Sequence, residues 1–198
     1  MFITELDVVN KCLASMGELP INSIANSTNP MVTNARQSFK DAVIAEQGAG
    51  WWYNTEEIKL LPQVDQTYLI PSDTLSLSAQ QTYTPKWLTI RGNKLYDTAI
   101  GDWYYGTNAI RVKIIRALPF EDLPYNAQKL VRAATVSKFQ LDFDGDQAKQ
   151  AAADTEYQES YALCMMDHTR SVGANMLAQG GTGQARVRAL IAGGRWRP

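Results

Sequence analysis

The chain has little that would mark a secreted, membrane-bound or metal-dependent protein. It holds two cysteines, Cys12 and Cys164, too few for a disulfide framework. It holds one histidine, His168, so a zinc site built on histidine pairs is excluded. No run of 18 apolar residues occurs, which predicts no membrane-spanning helix. The opening Met1-Phe2-Ile3-Thr4-Glu5 has no basic region followed by an apolar one, which predicts no secretory signal. The expectation is a cytosolic-type protein with reduced thiols. Net charge is also lacking: 19 basic side chains face 20 acidic ones, a balance of −1. There is no global pull toward nucleic acid or an anionic membrane.

What is present is a 198-residue chain, 45% apolar and 20% charged, which is ordinary for one globular domain with an insertion. The charge is unevenly placed. Residues 1–169 carry a net of −6, whereas residues 170–198 carry Arg170, Arg186, Arg188, Arg195 and Arg197 and no acid. Those last 29 residues also hold six of the 13 glycines. A basic, Gly-rich end buries too little apolar surface to order itself, and reads as an arm that orders on a partner.

The apolar period is helical at both ends and strand-like between. Residues 4–17 predict a helix capped by Thr4 with Asp7 three positions on, and stopped at Gly17. Residues 31–47 predict a second, with Pro30 at its start and Met31, Ala35, Phe39, Ala42, Val43 and Glu46 marking its face. From Trp51 the period becomes two, through Trp51/Tyr53, Ile58/Leu60, Tyr68/Ile70, Leu75/Leu77 and Leu88/Ile90. Gly92-Asn93 between Trp87–Arg91 and Lys94–Asp97 signals a hairpin. Residues 103–105 and 110–117 read as further strands, making five to seven in all. Helices then follow at 124–141 and 147–172. Ala148, Ala151, Ala152, Thr155, Tyr161, Cys164 and Met165 are placed inward on the second.

The fold expected is α+β. A helical bundle, residues 1–50 with 119–172 and ending in an αα-hairpin, carries an antiparallel β insertion at 51–118. A flexible arm at 173–198 completes the chain.

Candidate chemistry is thin. Asp142, Asp144 and Asp146 have a calcium-loop spacing, but Gln147 and Ala153 stand where that loop needs Gly and Glu, so no metal is expected. Cys164 and His168 share a helical face without the third group a nucleophile pair needs, and read as a buried thiol and a half-exposed ring. Gly180-Gly181-Thr182-Gly183 lacks the Lys of a phosphate loop and reads as a linker. No cofactor is expected. Glu57 with Asp97 or Asp102 across the sheet is the one carboxylate pairing suited to glycan hydrolysis. A zymogram repeated with Glu57→Gln and Asp102→Asn tests it. The triplets Trp51-Trp52-Tyr53 and Trp103-Tyr104-Tyr105 predict core rings alternating with interface rings.

Five segments, taken in order, resemble one family. They are Phe2-Ile3-Thr4-Glu5-Leu6-Asp7-Val8-Val9-Asn10, Gly17-Glu18-Leu19-Pro20, Gly50-Trp51-Trp52-Tyr53, Tyr125-Asn126-Ala127 and Gly193-Gly194-Arg195-Trp196-Arg197-Pro198. Together they are similar to tail tubular protein A of short-tailed bacteriophages, over essentially the whole chain.

That resemblance implies a virion tail protein assembled in the host cytoplasm, with no membrane partner. It implies a dodecameric ring between the portal protein and the tubular nozzle protein, with DNA passing through. The helices and arm would face the portal and the β part the nozzle. Tail-associated glycan hydrolysis is the alternative it leaves open. On this reading Arg186, Arg188, Leu190, Ile191, Arg195, Trp196 and Arg197 are the portal-docking residues, Arg and Trp being the types that most often carry interface energy. The acidic stretch 142–167 would line a channel or face a basic partner. No large, uniformly apolar interface is apparent, so the lone chain is expected to be a monomer or weak oligomer.

Overall fold

A computed structural model describes residues 2–25, 28–79 and 87–173. The portal-docking residues expected at 186–197 lie outside the described residues. Four helices and six strands are seen among them: α1 (Glu5–Ser15), α2 (Pro30–Gln47), β1 (Thr55–Leu60), β2 (Thr74–Ala79), β3 (Leu88–Arg91), β4 (Lys94–Asp97), β5 (Asp102–Trp103), β6 (Ile110–Arg116), α3 (Tyr125–Phe143) and α4 (Gln147–Val172). The class is mixed α+β.

Local chemistry sets the helix ends. The Thr4 hydroxyl accepts from the Asp7 N–H at 3.2 Å, and the Asp7 carboxylate accepts from the Thr4 N–H at 2.9 Å, so Asp serves where Glu is usual. These bonds from Thr4 hold the Asp7 carboxyl below its ordinary range. Asn29 caps α2 at the Met31 N–H, with Pro30 in the first turn. Asp146, from the acidic turn, caps α4 at the Ala148 and Lys149 N–H groups. Gly173, in the left-handed conformation at φ 59°, ends α4.

Helix α3 packs against each of the other three helices and is buried on several sides, through Ala127, Leu130, Val131, Val136 and Phe139. Buried Gln128 joins the chain start to the chain's exit from the β region. Its Oε1 accepts from the Ile3 N–H and its Nε2 donates to the Phe120 carbonyl, both at 3.1 Å.

The strands form two antiparallel three-stranded sheets rather than one region, ordered β1-β6-β2 and β3-β4-β5. The Gly92-Asn93 hairpin forms as expected, with Arg91 opposite Lys94. Tyr68 and Ile70 lie outside the named strands, Tyr68 making only an isolated bridge to Pro62. They nonetheless pack with Leu60, Leu95, Ile110, Val112 and Ile114 into a core shared by both sheets.

Two further expectations are corrected. Trp51-Trp52-Tyr53 is a turn and not a strand, because Gly50 at φ 79° redirects the chain and the Asn54 side chain satisfies the Trp51 N–H. All three rings pack on the helical core. On α4 the residues turned inward are Ala153, Ser160 and Cys164, whereas Ala148, Ala151, Ala152, Thr155, Tyr161 and Met165 are exposed. Only Cys164 was placed on the correct side. Of that stripe Tyr161 rests edge-on against Trp51, while Met165 stays exposed.

Candidate functional site

The place where the helices meet the sheets is a buried polar knot. Asn54 is fully buried. Its Oδ1 accepts from the Trp51 N–H, and its Nδ2 donates to the carbonyls of Gln47 and Arg116, all at 2.9 Å. Gln47, also fully buried, pairs both ways with the Leu118 backbone at 3.0 and 2.8 Å. Two side-chain amides thus bind the strand that enters the β region to the strand that leaves it. Arg116 adds an outer brace, pairing with Asp73 and Glu56.

α4 leans on this knot through aromatic rings. Trp51 sits edge-on to Tyr161 and to His168, with ring centroids 5.7 Å away in each case. His168 Nδ1 accepts from the Trp52 N–H at 3.1 Å, so the only histidine is a structural strut. Burial, with Asp167 and Glu46 nearby, pushes the Cys164 thiol up to about 12. A thiol so held is no nucleophile near neutrality.

Glu46 lies beside the knot and accepts from the Tyr157 hydroxyl at 3.3 Å. Burial pushes its carboxyl above the ordinary range, partly opposed by that bond. A raised folded-state value favours the protonated form, so its ionisation costs stability as pH rises through that value. Glu46→Gln is therefore expected to raise the melting temperature at pH 7. The gain should shrink as pH falls below the ordinary glutamate range. Thermal melts across pH check this, and an equal gain at all pH values would contradict it.

The outer face of α4 is the main exposed apolar surface among the described helices. Tyr161, Met165 and Met166 are 36%, 42% and 50% exposed, and Val172 follows at 54%. Tyr161, Ala162, Met165, Met166, Thr169 and Arg170 line one shallow concavity. A contiguous apolar strip of this kind marks a contact surface.

The carboxylates singled out from the sequence do not share a sheet. Glu57 stands exposed on β1, opposite Lys113. Asp97 and Asp102 are cross-strand partners on β4 and β5 of the other sheet. Asp97 is buried and accepts from the Ala99 N–H at 2.9 Å. Asp102 accepts from the Trp103 N–H at 2.7 Å. Of the second aromatic triplet, Tyr104 packs into the β core and Trp103 turns to the other side against Tyr96, as alternation predicts. Among the described residues no three His, Cys, Asp or Glu side chains are grouped to hold a metal ion. No described helix is long and apolar enough to cross a membrane.

The sequence reading missed the knot. Gln47, Asn54 and Gln128 are polar and assigned by period to no face. Their partners are backbone groups 62 to 125 residues away, apart from the near ones at Gln47, Trp51, Phe120 and Glu121. The one available signal was the placing of amides at the helix-to-strand boundaries.

Comparison with known proteins agrees with this picture of a protein built for contacts. The family model for tail tubular protein matches residues 6–174, which covers all four helices and six strands except the first residue of α1. Tail tubular protein A of Klebsiella phage KP34 is 26% identical over 167 residues, covering 84% of this chain and 88% of that protein. A match over so much of the fold places the chain in the tail tubular protein family, as a structural component of a bacteriophage tail.

Proposed function

We propose that the chain is a ring-forming adaptor that joins the portal protein to the tubular nozzle protein, with DNA passing through the ring. The observation that carries this reading is the outward face of α4. A helix of 26 residues that buries only Ala153, Ser160 and Cys164 leaves Met165, Met166 and Val172 exposed for another molecule. Neighbouring copies in a ring meet through unlike surfaces, so one exposed face per copy is enough to propagate and close the contact. In this reading residues 1–50 with 119–172 form the portal-facing unit and residues 51–118 the nozzle-facing one. The ring is completed on the portal during assembly in the host cytoplasm.

Residues 174–198 carry the docking role in this proposal, through Arg186, Arg188, Leu190, Ile191, Arg195, Trp196 and Arg197. Deleting residues 181–198 is expected to leave the melting temperature nearly unchanged and to abolish attachment to the portal. Trp196→Ala alone should cost about 2 kcal/mol of attachment, the size of an interface hot spot. A truncated chain that still joins portals would remove the arm from the proposal. The role itself is tested by negative-stain images of the protein mixed with portal. Added rings are expected, and isolated portals with free protein would overturn it.

A further inference from the structure

The concavity on the outer face of α4 opens next to the point where the described chain ends. It runs from Tyr161 to Arg170, and Gly173 follows within a turn. It measures about 560 Å³, more than one side chain fills. Its walls are Tyr161, Ala162, Met165 and Met166, with the Thr169 hydroxyl donated to the Met165 carbonyl at 2.8 Å. Arg170 is the one charged residue in the lining, and it pairs with Asp167 at 3.6 Å. Such a surface suits an uncharged, apolar occupant.

The backbone at the end of α4 says from where an occupant arrives. Gly173 is left-handed, φ 59° and ψ 40°, and its N–H donates to the Arg170 carbonyl at 3.3 Å. A helix that ends this way turns its chain aside from the axis, and an apolar residue just past the glycine commonly packs back on the last turns.

The sequence past Gly173 divides by chemistry. Ala174-Asn175-Met176-Leu177-Ala178-Gln179 carries no charge, and Met176 and Leu177 are the only large apolar side chains before Arg186. The arginines begin after Gly180, Gly181 and Gly183. The lengths also agree. From Gly173 back to Tyr161 the helix measures about 18 Å, and the six residues 174–179, if extended, reach about 20 Å. A second copy's α4 face is the competing occupant. A segment tethered by so few residues is present at millimolar effective concentration, which a second copy at micromolar concentration does not match.

We infer that Met176 and Leu177 of the same chain occupy this concavity in the lone protein, and that the face is bared when the arm leaves it for the portal. This deepens the proposed function and rests on its assignment of the α4 face to the ring contact and of residues 186–197 to the portal. A copy that has not met a portal hides its ring contact, so rings grow on portals and not in free solution. Burial of two side chains is opposed by the ordering of six residues, so the cover is reversible and adds little to the melting temperature.

The test is disulfide trapping in the full chain without portal. Native Cys12 and Cys164 are buried and do not compete. Met165→Cys with Leu177→Cys is expected to close an intramolecular disulfide about tenfold faster, or more, than Leu163→Cys with Leu177→Cys. Leu163 is exposed on another flank of α4, at nearly the same distance along the chain, so a segment that does not settle in the concavity closes both pairs alike. Equal rates would overturn the proposal. A product that is mainly a disulfide-linked dimer would overturn it too, by giving the face to a second copy. A further variant reads the consequence. Met176→Asp with Leu177→Asp is expected to raise the average mass in sedimentation about twofold or more over wild type, because the apolar face is left open. Adding Met165→Asp and Met166→Asp should restore the wild-type mass. If the Met176→Asp, Leu177→Asp chain sediments as the wild type does, these residues hide nothing and the proposal fails. Neither measurement uses a portal, so failure here is distinct from an absence of rings in the micrographs.

Discussion

Asn54→Leu is expected to lower the stability of the isolated chain by about 3–5 kcal/mol, the largest effect of any single change away from the apolar core. The leucine keeps the branched shape, though it is bulkier, and removes all three hydrogen bonds. It strands the Trp51 N–H and the Arg116 carbonyl in a region closed to water, while the Gln47 carbonyl keeps the Gly50 N–H at 3.1 Å. Each stranded group costs its own desolvation, about 1–3 kcal/mol. For a chain of this length that is a fall of about 10 °C in melting temperature. Circular dichroism melts measure it directly. Gln47→Leu should behave alike but less severely, since the two groups it strands are both on Leu118, which is only half-buried. A cost below about 1 kcal/mol for Asn54→Leu would mean that water enters the junction and replaces the amide. The two changes share a network, so the double variant should cost less than the sum of the singles.

Changing Met165 and Met166 together to Asp is expected to have the opposite profile. Both side chains are exposed in the single chain, so the melting temperature should move by no more than about a degree or two. Ring growth on the portal should be abolished. Burying an unpaired carboxylate costs several kcal/mol, and a ring repeats that cost at every contact. Counting rings on portals in negative-stain images, with melts run beside them, separates assembly from folding. Rings formed at wild-type frequency would remove this face of α4 from the proposed contact. A large fall in melting temperature would show instead that the two methionines support the fold of the chain itself.

Both predictions concern places where the sequence was a poor guide, and for different reasons. At Asn54 nothing periodic was available: one polar residue follows three aromatics, and its value comes from meeting strand β6 at Arg116, 62 residues on. On α4 the period was legible and the direction was not. Ala148, Ala151, Thr155, Tyr161 and Met165 do form a stripe, but a second, narrower stripe of Ala153, Ser160 and Cys164 is the one that meets α3. Small residues let α4 approach α3 closely, while the larger apolar side chains remain outside. Periodicity marks an apolar face without saying whether its partner lies in the same chain.

By itself the sequence determined what local interactions decide. All four helices lie within three residues of their expected bounds; α1, α2 and α4 do so because Thr4, Asn29, Asp146 and Gly173 satisfy or end them through neighbours a few residues away, whereas α3 starts after Pro124 without a side-chain cap. The Gly92-Asn93 hairpin formed in its expected register for the same reason. Only the tertiary structure decided what depends on distant partners. It split the strands into two sheets by pairing β1 and β2 with β6 instead of with their sequence neighbours. In doing so it separated Glu57 from Asp97 and Asp102, and set Lys59 against Arg111. Strand pairing is chosen by backbone hydrogen bonds and buried area summed over the whole sheet, quantities that belong to no single stretch of the chain.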